Sequence, residues 1–258
     1  MNNDKNIITD ENLLSQIINN IENKIPSSFI RKGDGENIVL GYQKIDSIKF
    51  KDFKHMMRIM NIRLFNLNFQ KYVKNELVKS FTECDVLGIS KLNQRYGHWA
   101  IEDEVLSKYK LEHKIFCDMN FHMNFVKYPN QSLIKNSLVR QIISKRKIGV
   151  ISCFNVENTI NLHQSNLIKW IEMPKQKDKL YNKKINQKFY NSVISQIKAY
   201  NSQIDFWLIA AGIHGKIFCN VVKINSGIAI DIGSSIDSWV DNYKSRGYLK
   251  EIKENFSL

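Results

Sequence analysis

Leu13, Leu14, Ile17, Ile18 and Ile21 recur at the three- and four-residue spacing of a single helical face, so residues 11–24 predict an amphipathic opening helix. Pro26 ends it. Beyond that point the pattern changes to short, nearly continuous apolar runs: "SSFI" (27–30), "CDVLGIS" (84–90), "KIFCDM" (114–119), "KIGVIS" (147–152), "LIKWIEM" (167–173), "DFWLIAAG" (205–212) and "GIAIDIG" (227–233). Runs of this length, rich in β-branched residues, predict strands buried on both faces.

Helical periodicity fills the intervals, at about 68–82, 98–110, 131–145, 182–201, 214–224 and 236–253. Strands alternating with helices imply an α/β fold, a mostly parallel sheet with helices on both faces. Only three prolines occur, and no Gly/Ser linker, repeat or low-complexity tract marks a boundary. One domain over 1–258, with a helical insertion near 43–80, is the simplest organisation. With 258 residues and 43% hydrophobic content, such a domain can bury a substantial core.

In an open parallel sheet, ligands bind where strands end at their carboxyl edge. Chemistry is therefore sought in the segments that follow strands. The first is "FIRKGDGE" (29–36). Gly33 and Gly35 let the backbone turn and approach a ligand, and Asp34 and Glu36 are hard oxygen donors suited to Mn²⁺ or Mg²⁺. Arg31 is placed to contact phosphates of the same ligand. The competing reading is a glycine turn whose carboxylates cap the next helix.

The second segment follows "DFWLIAA": Gly212, Ile213, His214, Gly215 and Lys216, opening a helix whose free N–H groups suit phosphate. The spacing is too short for a Walker A loop, and Ile217 stands where a hydroxyl is needed, so a nucleoside-triphosphatase is excluded. His214 faces a ligand or simply occupies a turn. Lys216, in the first helical turn, opposes the helix dipole and needs a reason to be there. In the third segment, "AIDIGSSIDSW" (229–239), Asp231 interrupts a buried strand and must have a partner: a loop amide, a ribose hydroxyl or Arg31. Gly233 and Ser234 follow it, and Ser235 or Asp237 is placed to cap the next helix.

Other signals are weaker. Trp99, in "QRYGHWAIEDE" (94–104), either stacks on a base or sugar or begins a helix. His55, His113, His122 and His163 stand singly and read as structural. Cys84, Cys117, Cys153 and Cys219 are far apart, with no C-x-x-C pair, and read as buried reduced thiols. No run reaches the length of a membrane span, and the polar start lacks a signal peptide's apolar core, which points to a soluble, cytoplasmic protein.

The excess of 38 Lys+Arg over 25 Asp+Glu, a net +13, suits nucleic acid, an anionic membrane surface or a phosphorylated substrate. No aromatic-interleaved basic cluster or zinc-finger spacing supports specific nucleic-acid binding.

Taken together, "FIRKGDGE", "RQIISKRKIGVIS" and "IDFWLIAAGIHGKIFCNVVKINSGIAIDIGS" resemble, in order and spacing, the GT-D glycosyltransferase family once labelled DUF1792. The resemblance spans about residues 27–239. It implies a Rossmann-like fold and a D-x-E motif, here Asp34 and Glu36, that serves the metal and the donor phosphates. Arg31, Gly33 and Gly35 match the rest of that loop, and Gly212, Gly215, Asp231 and Gly233 match the later two. Lys32 stands where the family more often has an aromatic residue, and Ser234 where a histidine is common.

The expected activity is transfer of a sugar from a nucleotide-diphosphate donor, UDP-sugar favoured, to a glycan acceptor in surface polysaccharide or glycoprotein biosynthesis. Asp103 and Asp237 are the candidates for the general base. A lipid-linked acceptor would bring the protein to the inner face of the membrane. The alternatives are a non-catalytic nucleotide- or polyanion-binding member of the same fold, and a hydrolase using the same loop.

Overall fold

A computed structural model describes residues 7–112, 114–126, 137–162, 164–175, 185–240 and 243–256. Its strands are β1 (Ile7–Ile8), β2 (Ser27–Arg31), β3 (Val86–Ile89), β4 (Ile115–Asp118), β5 (Lys147–Ser152), β6 (Asn166–Glu172), β7 (Phe206–Ala210) and β8 (Ile228–Asp231). They form one eight-stranded sheet in the order β1-β4-β3-β2-β8-β7-β5-β6, and every pairing is parallel. The helices are α1 (Asp10–Glu22), α2 (Asp34–Gly41), α3 (Phe50–Ile59), α4 (Leu67–Glu83), α5 (Glu102–Lys108), α6 (Met123–Val126), α7 (Leu138–Ile143), α8 (Glu157–Asn161), α9 (Gln187–Tyr200), α10 (Gly212–Ile224), α11 (Ile236–Trp239) and α12 (Gly247–Phe256).

The sheet separates two apolar layers. One holds Leu77 and Phe81 of α4, Tyr190 and Ile197 of α9, and Phe218 and Val222 of α10. The other holds Leu13 and Ile17 of α1, Ile142 and Ile143 of α7, and Ile160 of α8. Connections stepping one way along the sheet, β2 to β3 and β7 to β8, carry helices of the first layer. Those stepping the other way, β1 to β2 and β5 to β6, carry helices of the second. Opposite directions on opposite faces are what a uniform crossover handedness requires. Every run that reads as a strand in the sequence is one, most of them because they are apolar on both sides, whereas β6, at the sheet edge, is largely half-buried and was expected to be fully buried.

The differences from the sequence expectation are local. β1 is a two-residue strand within the polar start, paired to Phe116 and Cys117 of β4. The helix expected over 236–253 is divided into α11, a 3₁₀ turn and α12. Of the helix expected over 131–145, residues 131–136 lie outside the described residues, as do 182–184 of the helix expected over 182–201, and His113 and His163. Within 43–80 stand α3 and α4, and α4 packs along α10 as part of the first layer. Cys84, Cys117 and Cys219 are buried, whereas Cys153 is partly exposed.

Candidate active site

β2, β8 and β7 are neighbours, so the three segments that follow them meet at one end of the sheet. There they line a cleft of about 740 Å³. The cleft is bordered by Arg31, Gly33–Glu36 and Gly212–His214, with Lys216, Gly233, Ser234 and Asp237. Asp52 and His55 of α3, Trp99, Phe154, Lys175 and Arg246 are also among its walls.

"GDGE" is the first turn of α2. Gly33 is its N-cap, and the Gly33 N–H donates to Glu36 Oε2 at 2.9 Å, a carboxylate three residues on that reaches back to the cap. Glu36 is buried, and its Oε1 lies 3.4 Å from Lys216 Nζ. Asp34 is exposed at the cleft. One of its oxygens accepts from the Gly35 N–H at 2.8 Å, and its other oxygen has no protein partner among the described residues. The two readings of the loop thus divide between its carboxylates. Glu36 caps and pairs, and Asp34 faces solvent.

Behind the loop lies a buried charge cluster. Asp231, fully buried at the end of β8, accepts from Lys216 Nζ at 2.6 Å, from the Arg31 N–H at 3.2 Å and from the Gly233 N–H at 3.1 Å. A loop amide and Arg31, though by its backbone, are among its partners. Burial alone lowers the pKa of Lys216, but Asp231 and Glu36 outweigh it and hold the ammonium above its usual value. That pairing is why a cation is tolerated near the N-terminus of α10, where Lys216 stands as the fifth residue rather than in the first turn. Lys216 reaches the cleft already neutralised by two carboxylates.

Arg31 is different. Its Nε donates to the Met119 carbonyl at 2.7 Å, while its terminal nitrogens have no protein partner among the described residues. Gly233, at φ +50°, makes room for them: a Cβ there would lie 2.2 Å from Arg31 Nη1. The N-terminal ends of α2 and α10 open at the same cleft, with the positive ends of two helix dipoles beside these terminal nitrogens, although the Gly33 and Gly35 N–H groups of α2 are already taken by Glu36 and Asp34. Gly212 turns into α10 at φ +56°. Gly215 lets that helix lie close on β7, since a Cβ would be 3.1 Å from Ile209 Cγ2.

His214 does not present a free nitrogen. Its Nδ1 meets the Tyr190 hydroxyl at 2.5 Å and its Nε2 the Met60 carbonyl at 2.8 Å, so the neutral ring donates to Met60 and accepts from Tyr190. Burial lowers its pKa to about 4. It ties α10 to α9 and to the end of α3. Ser234 Oγ hydrogen-bonds the Tyr248 hydroxyl at 2.6 Å, at the edge of the cleft.

The two general-base candidates separate. Asp103 pairs with Arg95, nearly half exposed, and does not line the cleft. Asp237 lines it; burial raises its carboxyl pKa, against the opposing effects of a Ser245 hydroxyl at 2.6 Å and of Arg246.

Sequence reasoning noted Lys32 only as a departure from the family's usual aromatic residue and gave it no role. It is fully buried, its Nζ 2.6 Å from Glu102 Oε1 and bonded to Asn37 Oδ1. Glu102 Oε2 accepts from the Ser90 hydroxyl at 2.5 Å, and Asn37 donates to the His98 carbonyl at 2.9 Å. This network fastens α2 to α5 and to the end of β3. Its partners stand 70 residues apart in the chain, so no local pattern announces it.

Among the described residues, no group of three or more His, Cys, Asp or Glu side chains is arranged to hold a metal ion. A divalent ion completed by water and substrate phosphates needs only one or two carboxylates. The open oxygen of Asp34 fits that arrangement, and Glu36 joins it only by releasing Lys216 or the Gly33 N–H.

An open, all-parallel α/β sheet with helices on both faces and a cleft at its carboxyl edge belongs to the class of doubly wound proteins. A family model described as a GT-D fold-like domain matches residues 8–239, and the chain belongs to this GT-D-like family.

Solved structures agree on the fold. One, described as a new glycosyltransferase (DUF1792) from Streptococcus sanguinis, is similar over 88% of this chain and 82% of its own, with 14% identity and a TM-score of 0.52. Another, described as the highly conserved domain of unknown function 1792 with a distinct glycosyltransferase fold, is similar over 92% and 81%, with 14% identity and a TM-score of 0.52. No curated protein matches the chain.

Proposed function

We propose that this protein is a glycosyltransferase that takes a sugar from a nucleotide-diphosphate donor, UDP-sugar favoured, and passes it to a glycan acceptor. The observation that carries the reading is the convergence of the Arg31 terminal nitrogens, unpaired among the described residues, with the N-termini of α2 and α10 in one cleft. That arrangement supplies fixed donors to a diphosphate without reorganisation when charge develops on the leaving group.

In this reading Arg31 and the first-turn amides of α10 hold the donor diphosphate, joined by those amides at the start of α2 that Asp34 and Glu36 leave open. Lys216, with its buried partners, fixes the relative position of the three segments. Mn²⁺ or Mg²⁺, held by Asp34 with Glu36 in reserve, would neutralise the diphosphate as it leaves. Asp237 receives the proton of the acceptor hydroxyl, a role suited to a carboxyl whose pKa burial has raised. Trp99, on the wall beside Gly33, offers an aromatic face to the nucleoside or sugar. Assembly of surface polysaccharide or glycoprotein glycans, on the cytoplasmic side, is the process this reaction serves.

Calorimetry with UDP-, GDP- and CMP-linked sugars, with and without Mn²⁺, tests the reading. One donor class is expected to bind, more tightly with metal, and to turn over when acceptor is supplied. Absence of binding by every donor defeats the proposal. The engagement of Glu36 by Lys216 and Gly33 favours, as a second reading, a non-catalytic member of the fold that binds a nucleotide or polyanion. Donor binding without transfer or hydrolysis marks that outcome, and release of free sugar without acceptor marks a hydrolase.

A further inference from the structure

Beside the cleft, and sharing His55 with it, lies a second concavity of about 860 Å³ formed by α3 and the connection to α4. α3 turns Phe53, Met56 and Met57 into the core, which leaves Lys51, Lys54 and Arg58 on its exposed side. Arg63 adds a fourth exposed cation. None of the four forms an ion pair among the described residues, and no acidic residue lines the concavity.

Next to these cations stands the most exposed large apolar side chain among the described residues. Phe65 is 92% exposed and Leu67 70%. A soluble anion uses the cations but has no use for an extended phenyl ring and a leucine. An anionic bilayer uses both, attracting the cations to its head groups and taking the apolar side chains at the boundary of the acyl region.

We propose that this face docks the protein on an anionic lipid surface, with Lys51, Lys54, Arg58 and Arg63 against the head groups and Phe65 and Leu67 inserted. The shared wall at His55 places the cleft beside the membrane, within reach of an acceptor held there. No helix of the described residues is long and apolar enough to cross a bilayer, so the contact is peripheral.

Sedimentation with phosphatidylglycerol/phosphatidylcholine vesicles, against pure phosphatidylcholine vesicles, tests this without donor or turnover, and its outcome is independent of the transferase reading. Binding to the anionic vesicles alone is expected. Lys54→Ala with Arg58→Ala should weaken it by about fivefold per cation. Phe65→Ser with Leu67→Ser should weaken it by about tenfold per side chain at unchanged salt dependence. All four side chains are exposed, so unchanged thermal midpoints verify that the variants fold. Failure to bind anionic vesicles, or binding indifferent to either pair of substitutions, overturns the proposal. An oligonucleotide that displaces the vesicles while Phe65→Ser with Leu67→Ser binds lipid as before also overturns it, in favour of a polyanion site.

Discussion

Asp34 and Glu36 stand two residues apart, yet burial separates their roles, and substitution should separate their effects. Asp34→Asn removes an exposed charge with no ion-pair partner among the described residues, so the thermal midpoint should not move while metal-enhanced donor binding is lost. Glu36→Gln instead weakens the pairing of a buried lysine and the α2 cap, and should cost about 1 to 3 kcal/mol in denaturant unfolding. Equal loss of stability in both variants would contradict this division. His214 makes a pH prediction. Its folded pKa, about 4, lies below the ordinary 6.5, so between these values the unfolded chain binds more protons. Its contribution is complete above pH 6.5 and is lost as pH falls through 4, amounting to about 3 kcal/mol. His122, whose pKa burial lowers well below the ordinary value, acts in the same direction. Urea midpoints should therefore fall across that window, with a smaller slope in His214→Gln. An identical slope in that variant would show that His214 titrates freely. The sequence suggests that Asp34, Glu36 and His214 matter near one edge of the sheet. It cannot say which of them is exposed, because burial depends on segments up to about 150 residues away, such as Met60 against His214.

At the scale of elements, the buried Lys32–Glu102 pair joins the α2 turn to α5, and its energetics are those of a desolvated ion pair. Lys32→Met alone leaves Glu102 buried without its cation and should destabilise by about 3 to 5 kcal/mol. Lys32→Met with Glu102→Gln removes both charges and should recover most of that loss. The two substitutions are therefore expected to be strongly non-additive in a double-mutant cycle; additive losses would show that the pair is not coupled. Strands were the legible elements, because a strand buried on both faces writes its environment into an uninterrupted apolar run: "KIGVIS" is β5 residue for residue. Gly149 in that run also has a physical cause invisible locally, since a Cβ there would lie 2.4 Å from the ring of Trp207. Short elements were less legible. β1 has two residues and depends on β4 for its existence, and α2 is hidden because Gly33 at its N-cap and Gly35 in its first turn read as loop.

For the whole molecule, the order of the strands matters more than any one of them. β2 is followed in the chain by β3 and lies beside it, whereas β7 and β8 arrive some 200 residues after β2 and insert on its other side, a separation matched by the 200-residue span of the Arg31–Asp231 contact. The cleft is therefore assembled from the two ends of the chain, joined through one buried cluster of Glu36, Lys216 and Asp231. Local patterns located the three segments, and the general rule for parallel sheets placed them at a carboxyl edge. Their convergence follows only from the strand order, which periodicity does not encode. A ligand that bridges them should act on both halves together. Donor at about one hundred times its dissociation constant should add about 2.7 kcal/mol to global stability, raising the thermal midpoint by about 5 to 10 °C if scaled to a chain of this size. Hydrogen exchange should slow in residues 31–36, 211–216 and 232–235 by similar factors and at the same donor concentration. Protection confined to 31–36 would mean that the diphosphate touches the first segment alone, and that α10 does not share in holding it.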